Sequence, residues 1–288
     1  MISGKTRVCG IIGDPVEHSM SPAMHNAAFA RLVLDYCYVP FRVKPDNLAQ
    51  AVAGIRALNI RGMNITIPHK VAIIPLLDKL DSLAQRIGAV NTIVNDSGVL
   101  SGYNTDAAGF LSALLVAGVE PKGKKVVVLG AGGASRAITF ALAERGAHPV
   151  IINRQQEMEW AIELARTLSQ TFGGEVTALE LTDSNLKKSL QSADVLVNAT
   201  SVGMSPDINV TLVPASWLKR TPVVFDAVYN PIKTKLLADA EQAGAITISG
   251  LEMLVWQGAL AFELWTQQKA PVALMKEEAL RALTGHEK

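Results

Sequence analysis

The sequence predicts an α/β protein of two domains, the second of which holds a doubly wound parallel sheet. Three observations support this prediction. Short apolar runs alternate with helical patterns along most of the chain. A glycine-rich segment with Gly130 and Gly132 directly follows one apolar run and opens an amphipathic helix pattern. More than a hundred residues precede this segment, a length that suits a separate domain rather than a tail.

The residues before the glycine-rich segment alternate between strand and helix patterns. Strands are predicted over Arg7–Ile12, Tyr36–Val43 and Gly62–Ile67, the last of them ended by Pro68. Helices are predicted from Ser21 to about Leu34, from Asp46 to about Leu58, near His69 and around Ser82–Arg86, with Ser21 and Asp46 as N-caps. The runs Ala89–Asn95 and Val99–Gly102 predict a hairpin in which Gly98 supplies the positive φ of the turn.

The glycine-rich segment predicts a strand, a phosphate-binding turn and a helix. Val126–Leu129 is typical of a buried parallel strand, and the two glycines let the backbone turn tightly and approach a pyrophosphate at the helix N-terminus. Ser135 stands where the dinucleotide-binding fingerprint has its third glycine, and Gly146 is expected to end the helix. A tight strand-to-helix turn in some other α/β protein is the alternative.

The alternation continues to the end of the chain. Further strands are predicted over Pro149–Ile152, Val176–Leu181, Asp194–Asn198, Val223–Ala227 and Ala245–Ile248. Further helices are predicted over Gln156–Gln170, after Pro231, over Leu251–Lys269 and over Val272–Leu283. The helix Ala107–Ala117, opened by Asp106, marks the domain boundary. We therefore expect a substrate-binding domain over 1–105, completed by C-terminal helices over 251–288, and a Rossmann dinucleotide-binding domain over 106–250.

The composition suits a cytoplasmic enzyme and argues against several other classes of protein. The 288 residues carry 27 basic and 26 acidic side chains, a balance that disfavours nucleic acid or an anionic membrane as the main partner. We find no apolar run of about 18 residues and no signal-peptide layout. Cys9 and Cys37 are expected to be buried free thiols. The histidines show no metal-ligand spacing, so no metal is expected. The five histidines are His18, His25, His69, His148 and His286.

Four polar clusters lie at or beside the ends of predicted strands, where the loops of an α/β enzyme carry function. They are Glu17–Pro22, Asn64–Lys70, Gly88–Thr92 and Gly102–Asp106. Three of them have a structural explanation when they are taken alone. Ser21 and Asp106 suit helix N-caps, and Lys70 suits a solvated side chain at a strand end.

Taken together, the segments are similar to those of one family. HSMSP, NITIPHK, AVNT and YNTDAAGF, then GAGGASRA, NR, NATSVGM and GLEMLVWQGALAF, resemble the shikimate dehydrogenase family along essentially the whole chain and in the right order. The resemblance implies a substrate domain completed by C-terminal helices and a Rossmann domain that binds NADP. It also implies reversible reduction of 3-dehydroshikimate to shikimate, on the pathway to aromatic amino acids.

The resemblance assigns a role to each matching residue. Lys70 and Asp106 would be the catalytic pair. The carboxylate and hydroxyls of the substrate would be held by Ser19, Ser21, Thr66, Asn91 and Gln257, with Tyr229 nearby. The cofactor would contact Gly130, Ala131, Gly132, Gly133, Ala134, Asn153, Arg154, Thr200 and Gly250.

These residue types suit the chemistry that the resemblance implies. Hydride transfer to a ketone leaves negative charge on oxygen, which a lysine can stabilise and then protonate. Neutral donors from several loops can distinguish the hydroxyls of a small polar acid by direction. Since no arginine appears in the four clusters, hydroxyl donors such as Ser19 and Ser21 must meet the substrate carboxylate.

The end of the second Rossmann strand predicts a preference for NADP over NAD. NAD-binding folds place an acidic residue there, whereas this strand ends in Asn153-Arg154, and a guanidinium binds a 2′-phosphate well. Members of the family usually continue with Thr and a second basic residue, but Gln155, Gln156 and Glu157 follow here. We therefore expect preference rather than exclusivity, and a surface arginine in a loop is the alternative.

Three other functions stay open at this point. One is a quinate or quinate/shikimate dehydrogenase that uses NAD. A second, from a different class, is a non-catalytic regulator that senses metabolites, although such a protein does not need the proton donor Lys70. A third is another two-domain dehydrogenase, such as one acting on a folate, for which the 5% aromatic content is low. The sequence does not determine the oligomeric state, and a homodimer is one of the assemblies it leaves open.

Overall fold

A computed structural model describes residues 2–285 of the chain, so His286 lies outside the described residues. The residues up to Asp106, together with those from Val255 onward, form one unit, and Ala107–Leu254 form a second. No helix within residues 2–285 is both long enough and apolar enough to cross a bilayer.

Strands and helices alternate along most of the chain. The strands are β1 (Arg7–Gly13), β2 (Tyr36–Arg42), β3 (Gly62–Ile65), β4 (Lys79–Leu80), β5 (Thr92–Asp96), β6 (Val99–Tyr103), β7 (Lys125–Leu129), β8 (His148–Asn153), β9 (Thr177–Glu180), β10 (Val195–Asn198), β11 (Val223–Asp226) and β12 (Ile246–Ser249). The helices are α1 (Ser21–Arg31), α2 (Leu48–Ala57), α3 (His69–Ala72), α4 (Ser82–Ile87), α5 (Asp106–Val116), α6 (Gly133–Glu144), α7 (Met158–Phe172), α8 (Asp183–Leu190), α9 (Lys235–Gln242), α10 (Gly250–Thr266) and α11 (Val272–Gly285). Short 3-10 turns lie at Pro45–Asn47, Ile74–Leu76, Gln155–Glu157 and Ala215–Arg220.

The first unit is built on a mixed sheet with the strand order β2-β1-β3-β5-β6-β4. β1 pairs in parallel with β2 and β3, and β5 pairs antiparallel with β3 and β6. Buried aliphatic residues such as Val52, Met63, Ile65, Ile93 and Leu100 form a core on this sheet. Because β1 and β3 are parallel neighbours, the polar loops that follow them leave the sheet at the same edge.

The next-to-last helix, α10, is held against this sheet by Trp265. The indole is buried and its Nε1 donates a hydrogen bond to the carbonyl of Ile93 at 2.9 Å. A Cβ atom on Gly62 of β3 would lie 2.1 Å from that same Nε1, so the strand needs a glycine at this position. The indole therefore occupies space that a side chain at position 62 would fill.

The second unit is a parallel sheet with the strand order β12-β11-β10-β7-β8-β9. This order, read from β9, is 3-2-1-4-5-6, the doubly wound arrangement of dinucleotide-binding folds. The direction of winding reverses between β7 and β10, which pair with each other. In such sheets the crevice beyond the carboxyl ends at this switch point binds the ligand.

The predicted fold class is confirmed, as is the hairpin. β5 and β6 pair up to Asp96 and Val99, leaving a turn of Ser97 and Gly98 with φ of 53° and 92°. Positive φ at both residues is the geometry that a two-residue hairpin turn favours.

Two predicted N-caps are wrong. Ser21 is the first residue of α1, because Met20 before it already has helical dihedrals. The hydroxyl that accepts from the backbone amide of Ser21 belongs to Ser19, at 3.3 Å. Asp46 lies in the 3-10 turn that Pro45 opens, and α2 begins only after it, without a side-chain cap.

Other differences concern the ends of elements and short segments. α1 ends at Arg31 rather than near Leu34, because Val33 adopts a φ of 54°. The sequence pattern did not predict β4 or α8. β4 has two residues, too few for a periodic signal, and α8 is a short helix of mostly polar residues.

We predict that Gly62→Ala destabilises the protein by about 1 to 3 kcal/mol, the usual cost of overpacking a core. The added methyl would displace Trp265 and break its bond to Ile93. Urea unfolding followed by far-UV circular dichroism measures the change.

Gly54→Ala is the matched control, because nothing lies within 4 Å of its added Cβ and the residue is inside α2. It should be neutral or stabilising by up to about 1 kcal/mol. Equal unfolding midpoints for the two variants would contradict the proposed role of Trp265.

Candidate active site

A buried ion pair joins two of the predicted site residues, Lys70 and Asp106. Lys70 lies in α3, just after β3, and Asp106 begins α5 after β6. Lys70 Nζ lies 2.6 Å from Asp106 Oδ2, and the two side chains are 14% and 5% exposed. The sequence alone favoured a solvated Lys70 side chain, but in the structure this side chain is largely buried. A buried pair of this kind is costly to desolvate, so it needs further hydrogen bonds around it.

Two amide side chains complete the group around this pair. Asn91 Nδ2 donates to Asp106 Oδ1 at 2.9 Å and to Gln257 Oε1 at 3.3 Å. Asn91 precedes β5 and Gln257 lies on α10, so the group draws on residues far apart in sequence. Both carboxylate oxygens of Asp106 thus accept hydrogen bonds, one from Lys70 and one from Asn91.

The remaining predicted substrate residues of the first unit follow β1 and β3 in the chain. Ser21 is buried, whereas Ser19 and Thr66 are half-buried. Thr66 N donates to Ile12 O at 3.0 Å, and a Cβ atom on Gly13 would meet Thr66 Cγ2 at 2.3 Å. Asp14 N also donates to Ile67 O at 2.9 Å, so the loop after β1 and the loop after β3 are in contact.

The glycine-rich turn lies at the switch point of the second sheet. Gly130 has a φ of 102°, and a Cβ atom there would lie 3.0 Å from Thr200 Cγ2. Gly132 directly precedes α6 and has open space where its Cβ would be. The buried Ser135 hydroxyl donates to Gly130 O at 2.6 Å, which ties the start of the helix to the turn. A helix N-terminus with open space before it fits a pyrophosphate.

Three further predicted cofactor contacts continue this turn into α6, namely Ala131, Gly133 and Ala134. Ala131 is buried. Tyr229 and Gly250 also belong to the second unit, after β11 and at the start of α10. A Cβ atom on Gly250 would lie 2.3 Å from Ala227 O, so this position accepts only glycine without a shift of the backbone. Tyr229 is half-buried.

Two polar residues near Thr200 were missed by sequence reasoning. Asn198 Oδ1 accepts from Thr200 Oγ1 at 2.7 Å, while Asn198 Nδ2 donates to Asp226 Oδ1 at 2.9 Å. Burial raises the pKa of Asp226 to about 6, against the opposing effect of hydrogen bonds from Thr234, Val228 and Asn198. The available signal was a polar residue at the end of each apolar strand, β10 and β11.

Arg154 is the one exposed side chain beyond glycine among the predicted cofactor residues of the described chain. Its side chain is 63% exposed, and Nη2 pairs with Oε1 of Glu157. The Glu157 carboxylate also raises the pKa of the guanidinium. Asn153 before it is buried and donates from Nδ2 to Glu157 O at 2.8 Å. The cation expected to meet a 2′-phosphate thus has a competing carboxylate beside it.

Cys9 and Cys37 are both free, but only Cys9 is buried, whereas Cys37 is half-buried. Cys37 of β2 pairs with Val8 of β1, so these two side chains lie on the same face of the sheet. Cys9 is the residue after Val8, and its side chain therefore points to the other face. In residues 2–285, we find no group of three or more His, Cys, Asp or Glu side chains arranged to hold a metal ion.

Three family models match successive parts of the chain. The model of the shikimate dehydrogenase substrate binding domain matches residues 11–93. The model described as shikimate / quinate 5-dehydrogenase matches residues 115–229, and that of the shikimate 5'-dehydrogenase C-terminal domain matches residues 250–280.

Individual proteins match over nearly the full length. The shikimate dehydrogenase (NADP(+)) of Dehalococcoides mccartyi strain CBDB1 is 48% identical over 97% of both chains. A crystal structure of a shikimate dehydrogenase in complex with NADP+ has a TM-score of 0.90 at 44% identity, with 98% of each chain covered. The enzyme from Thermus thermophilus, in complex with NADP(H) and shikimate, has a TM-score of 0.85 at 39% identity, covering 96% of this chain and 100% of the other.

A solved quinate dehydrogenase is similar at lower identity. The enzyme from Corynebacterium glutamicum, in complex with NAD, is 32% identical with a TM-score of 0.85, covering 96% of this chain and 99% of that one. With relatives above 30% identity across nearly all its length, this chain belongs to the shikimate dehydrogenase family.

Proposed function

We propose that this protein catalyses the reversible, NADP-dependent reduction of 3-dehydroshikimate to shikimate, a step of chorismate and aromatic amino acid biosynthesis. The observation that carries the proposal is the buried Lys70–Asp106 pair, with the amides of Asn91 and Gln257 beside it. The Dehalococcoides relative, at 48% identity, is named for this NADP-dependent activity.

Lys70 is the proposed proton donor. NADPH, when bound, supplies the hydride that adds to the ketone carbon. The Lys70 ammonium stabilises the negative charge that develops on the ketone oxygen and then gives it a proton, leaving a neutral amine that solvent reprotonates. Asp106 orients the ammonium through its 2.6 Å contact and accepts a hydrogen bond from a substrate hydroxyl. In the direction of oxidation, the amine takes the proton back.

Neutral polar side chains are the proposed substrate contacts. In the first unit they are Ser19, Ser21, Thr66, Asn91 and Gln257, to which we add Tyr229 of the second unit. Hydroxyls and amides recognise the direction of each substrate hydroxyl, and a site built this way rejects an analogue that lacks one. The serines follow β1, the threonine follows β3, and these neighbouring loops are in contact.

Cofactor binding is assigned to the second domain, proposed over 106–250, and substrate binding to 1–105 with 251–288. The turn with Gly130, Gly132 and Thr200 would hold the pyrophosphate, and Arg154 the 2′-phosphate. The other proposed cofactor contacts are Ala131, Gly133, Ala134, Asn153 and Gly250. We also propose a cytoplasmic location for this biosynthetic activity.

Initial rates with shikimate and with quinate, each with NADP and with NAD, test the proposal. Shikimate with NADP should give the highest kcat/KM of the four combinations. Quinate with NAD as the best pair would favour the rival dehydrogenase, to which the Corynebacterium structure points. No turnover in any combination would favour the non-catalytic regulator, although a sensor has no need of the buried Lys70.

We predict that Lys70→Met lowers kcat by about 10² to 10⁴, the range for general acid–base groups, while the Kd for NADP hardly changes. The variant leaves the Asp106 carboxylate buried without its cation, so thermal denaturation must accompany the kinetics. Lys79→Met, which removes an exposed lysine of the same unit, is the control and should keep full activity. A Lys70→Met enzyme with more than about a tenth of the wild-type kcat would show that Lys70 is not the proton donor.

We predict that Ser19→Ala, Ser21→Ala and Gln257→Ala each weaken shikimate binding by about 0.5 to 3 kcal/mol, the range for one lost hydrogen bond. The Kd for NADP should stay the same. Since Ser21 does not cap α1, Ser21→Ala carries no capping loss of its own. Equal losses for substrate and cofactor, or loss of stability alone, would argue against these contacts.

We predict that Arg154→Ala lowers kcat/KM for NADP at least tenfold and leaves the value for NAD nearly unchanged. One charge-assisted hydrogen bond is worth about 1.5 to 3 kcal/mol, which corresponds to roughly 10- to 150-fold. Glu157→Gln should raise kcat/KM for NADP, because it removes the carboxylate that competes for the Arg154 guanidinium.

Glu159→Gln is the control for that charge change, since Glu159 is exposed two residues further along the chain. It should leave the ratio of the Kd values for NADP and NAD unchanged. A wild type that uses NAD as well as NADP would mean that Arg154 does not select the cofactor.

A further inference from the structure

A line of buried hydrogen bonds runs from the ion-pair carboxylate into the sheet of the first unit. Asn91 Oδ1 accepts from Thr92 Oγ1 at 3.1 Å, and Thr92 Oγ1 accepts from Asn64 Nδ2 at 3.1 Å. Asn64 Oδ1 accepts from Tyr38 Oη at 2.7 Å. With the bond from Asn91 to Asp106, four hydrogen bonds link Tyr38 to the carboxylate. All five residues are at most 5% exposed.

The donors in this line all point the same way. The Tyr38 hydroxyl donates to Asn64 Oδ1, which turns the Asn64 NH₂ group toward Thr92. Since Thr92 Oγ1 accepts from Asn64, its own proton is left for Asn91 Oδ1 at 3.1 Å, which is nearer than Thr105 Oγ1 at 3.4 Å. Asn91 Oδ1 also accepts from the backbone N–H of Thr105 at 2.8 Å, and both donors turn the Asn91 NH₂ group toward Asp106. A reversed Asn91 amide would place its oxygen against the carboxylate oxygen, which is unfavourable.

Tyr38 itself is held firmly at the start of the line. Its backbone N–H and carbonyl bond the side-chain amide of Asn26 on α1, at 2.8 Å and 3.0 Å. Its ring stacks on His25 with centroids 4.5 Å apart and planes 10° apart. Burial lowers the pKa of His25 to about 3, so the ring is neutral. Within residues 2–285 neither nitrogen of His25 has a hydrogen-bond partner, so the imidazole serves here as an aromatic surface.

We propose that Tyr38 is a positioning residue, which acts through Asn64 and Thr92 and, together with the Thr105 backbone N–H, holds the amide of Asn91 and thereby the carboxylate that orients Lys70. The inference rests on the proposed function, because it concerns the geometry of the same site. Along this line the Tyr38 hydroxyl is four hydrogen bonds away from the Asp106 carboxylate. The hydroxyl is the hydrogen-bond donor that Asn64 Oδ1 accepts from, so it holds the Asn64 end of the line in place, a role that phenylalanine cannot fill.

Tyr38→Phe tests the proposal, with Tyr36→Phe as the matched control. Both tyrosines lie on β2 two residues apart, and the Tyr36 hydroxyl is also hydrogen-bonded, accepting from Arg7 and donating to Trp265 O. Tyr38→Phe should lower kcat for shikimate oxidation about three- to tenfold, as expected for one neutral hydrogen bond. KM for shikimate should change less than kcat, and the Kd for NADP should change less than twofold. Tyr36→Phe should leave kcat within twofold of the wild type.

A double-mutant cycle separates positioning from a general loss of packing. If Tyr38 acts through Asn91, Tyr38→Phe should have no further effect on kcat in an Asn91→Ala background. The same fold loss in both backgrounds, or an unchanged kcat in the single variant, would overturn the proposal and leave Tyr38 as a core residue. Those outcomes require an active wild type, whereas a wild type inactive on shikimate would overturn the proposed function itself.

Discussion

The first unit depends on keeping Lys70 and Asp106 paired and largely out of water. Desolvating the two charges costs several kcal/mol per ion, and their attraction offsets this cost only with good geometry and further hydrogen bonds. The structure supplies these conditions through a 2.6 Å contact and the amide of Asn91. The two charges come together because α3, which carries Lys70, follows β3 and α5, which begins with Asp106, follows β6.

The helix that covers the sheet also contributes to the polar group. Trp265 anchors α10 against β3, where Gly62 leaves room for the indole. Gln257 lies eight residues earlier on the same helix, a little more than two turns away. Packing of the indole thus sets the position from which Gln257 reaches Asn91 at 3.3 Å. The packing of Trp265 and the hydrogen bond of Gln257 are therefore coupled through the helix α10.

The sequence predicted the fold class well because periodicity and glycine positions report local geometry. It predicted the strand, turn and helix around Gly130, but placed N-caps wrongly at Ser21 and Asp46, where a neighbouring residue takes the expected position. It named Lys70 and Asp106 by resemblance, yet residue type alone favoured a solvated lysine. Burial of that lysine, and the bonds of Asn198 and Asp226, arise from residues distant in sequence, which no local pattern encodes.

The second unit, under the proposed function, divides cofactor recognition between backbone and side chain. The turn at the switch point is fixed by the positive φ of Gly130, the bond from Ser135 and the close approach of Thr200, none of which involves an exposed side chain. The 2′-phosphate contact is assigned to Arg154, which is exposed and already paired with Glu157. Removing a turn contact would disturb the packing of β7 and α6, whereas changing Arg154 or Glu157 alters charge at the surface. Dinucleotide binding is therefore the more constrained property, and the choice between NADP and NAD is open to change by single substitutions.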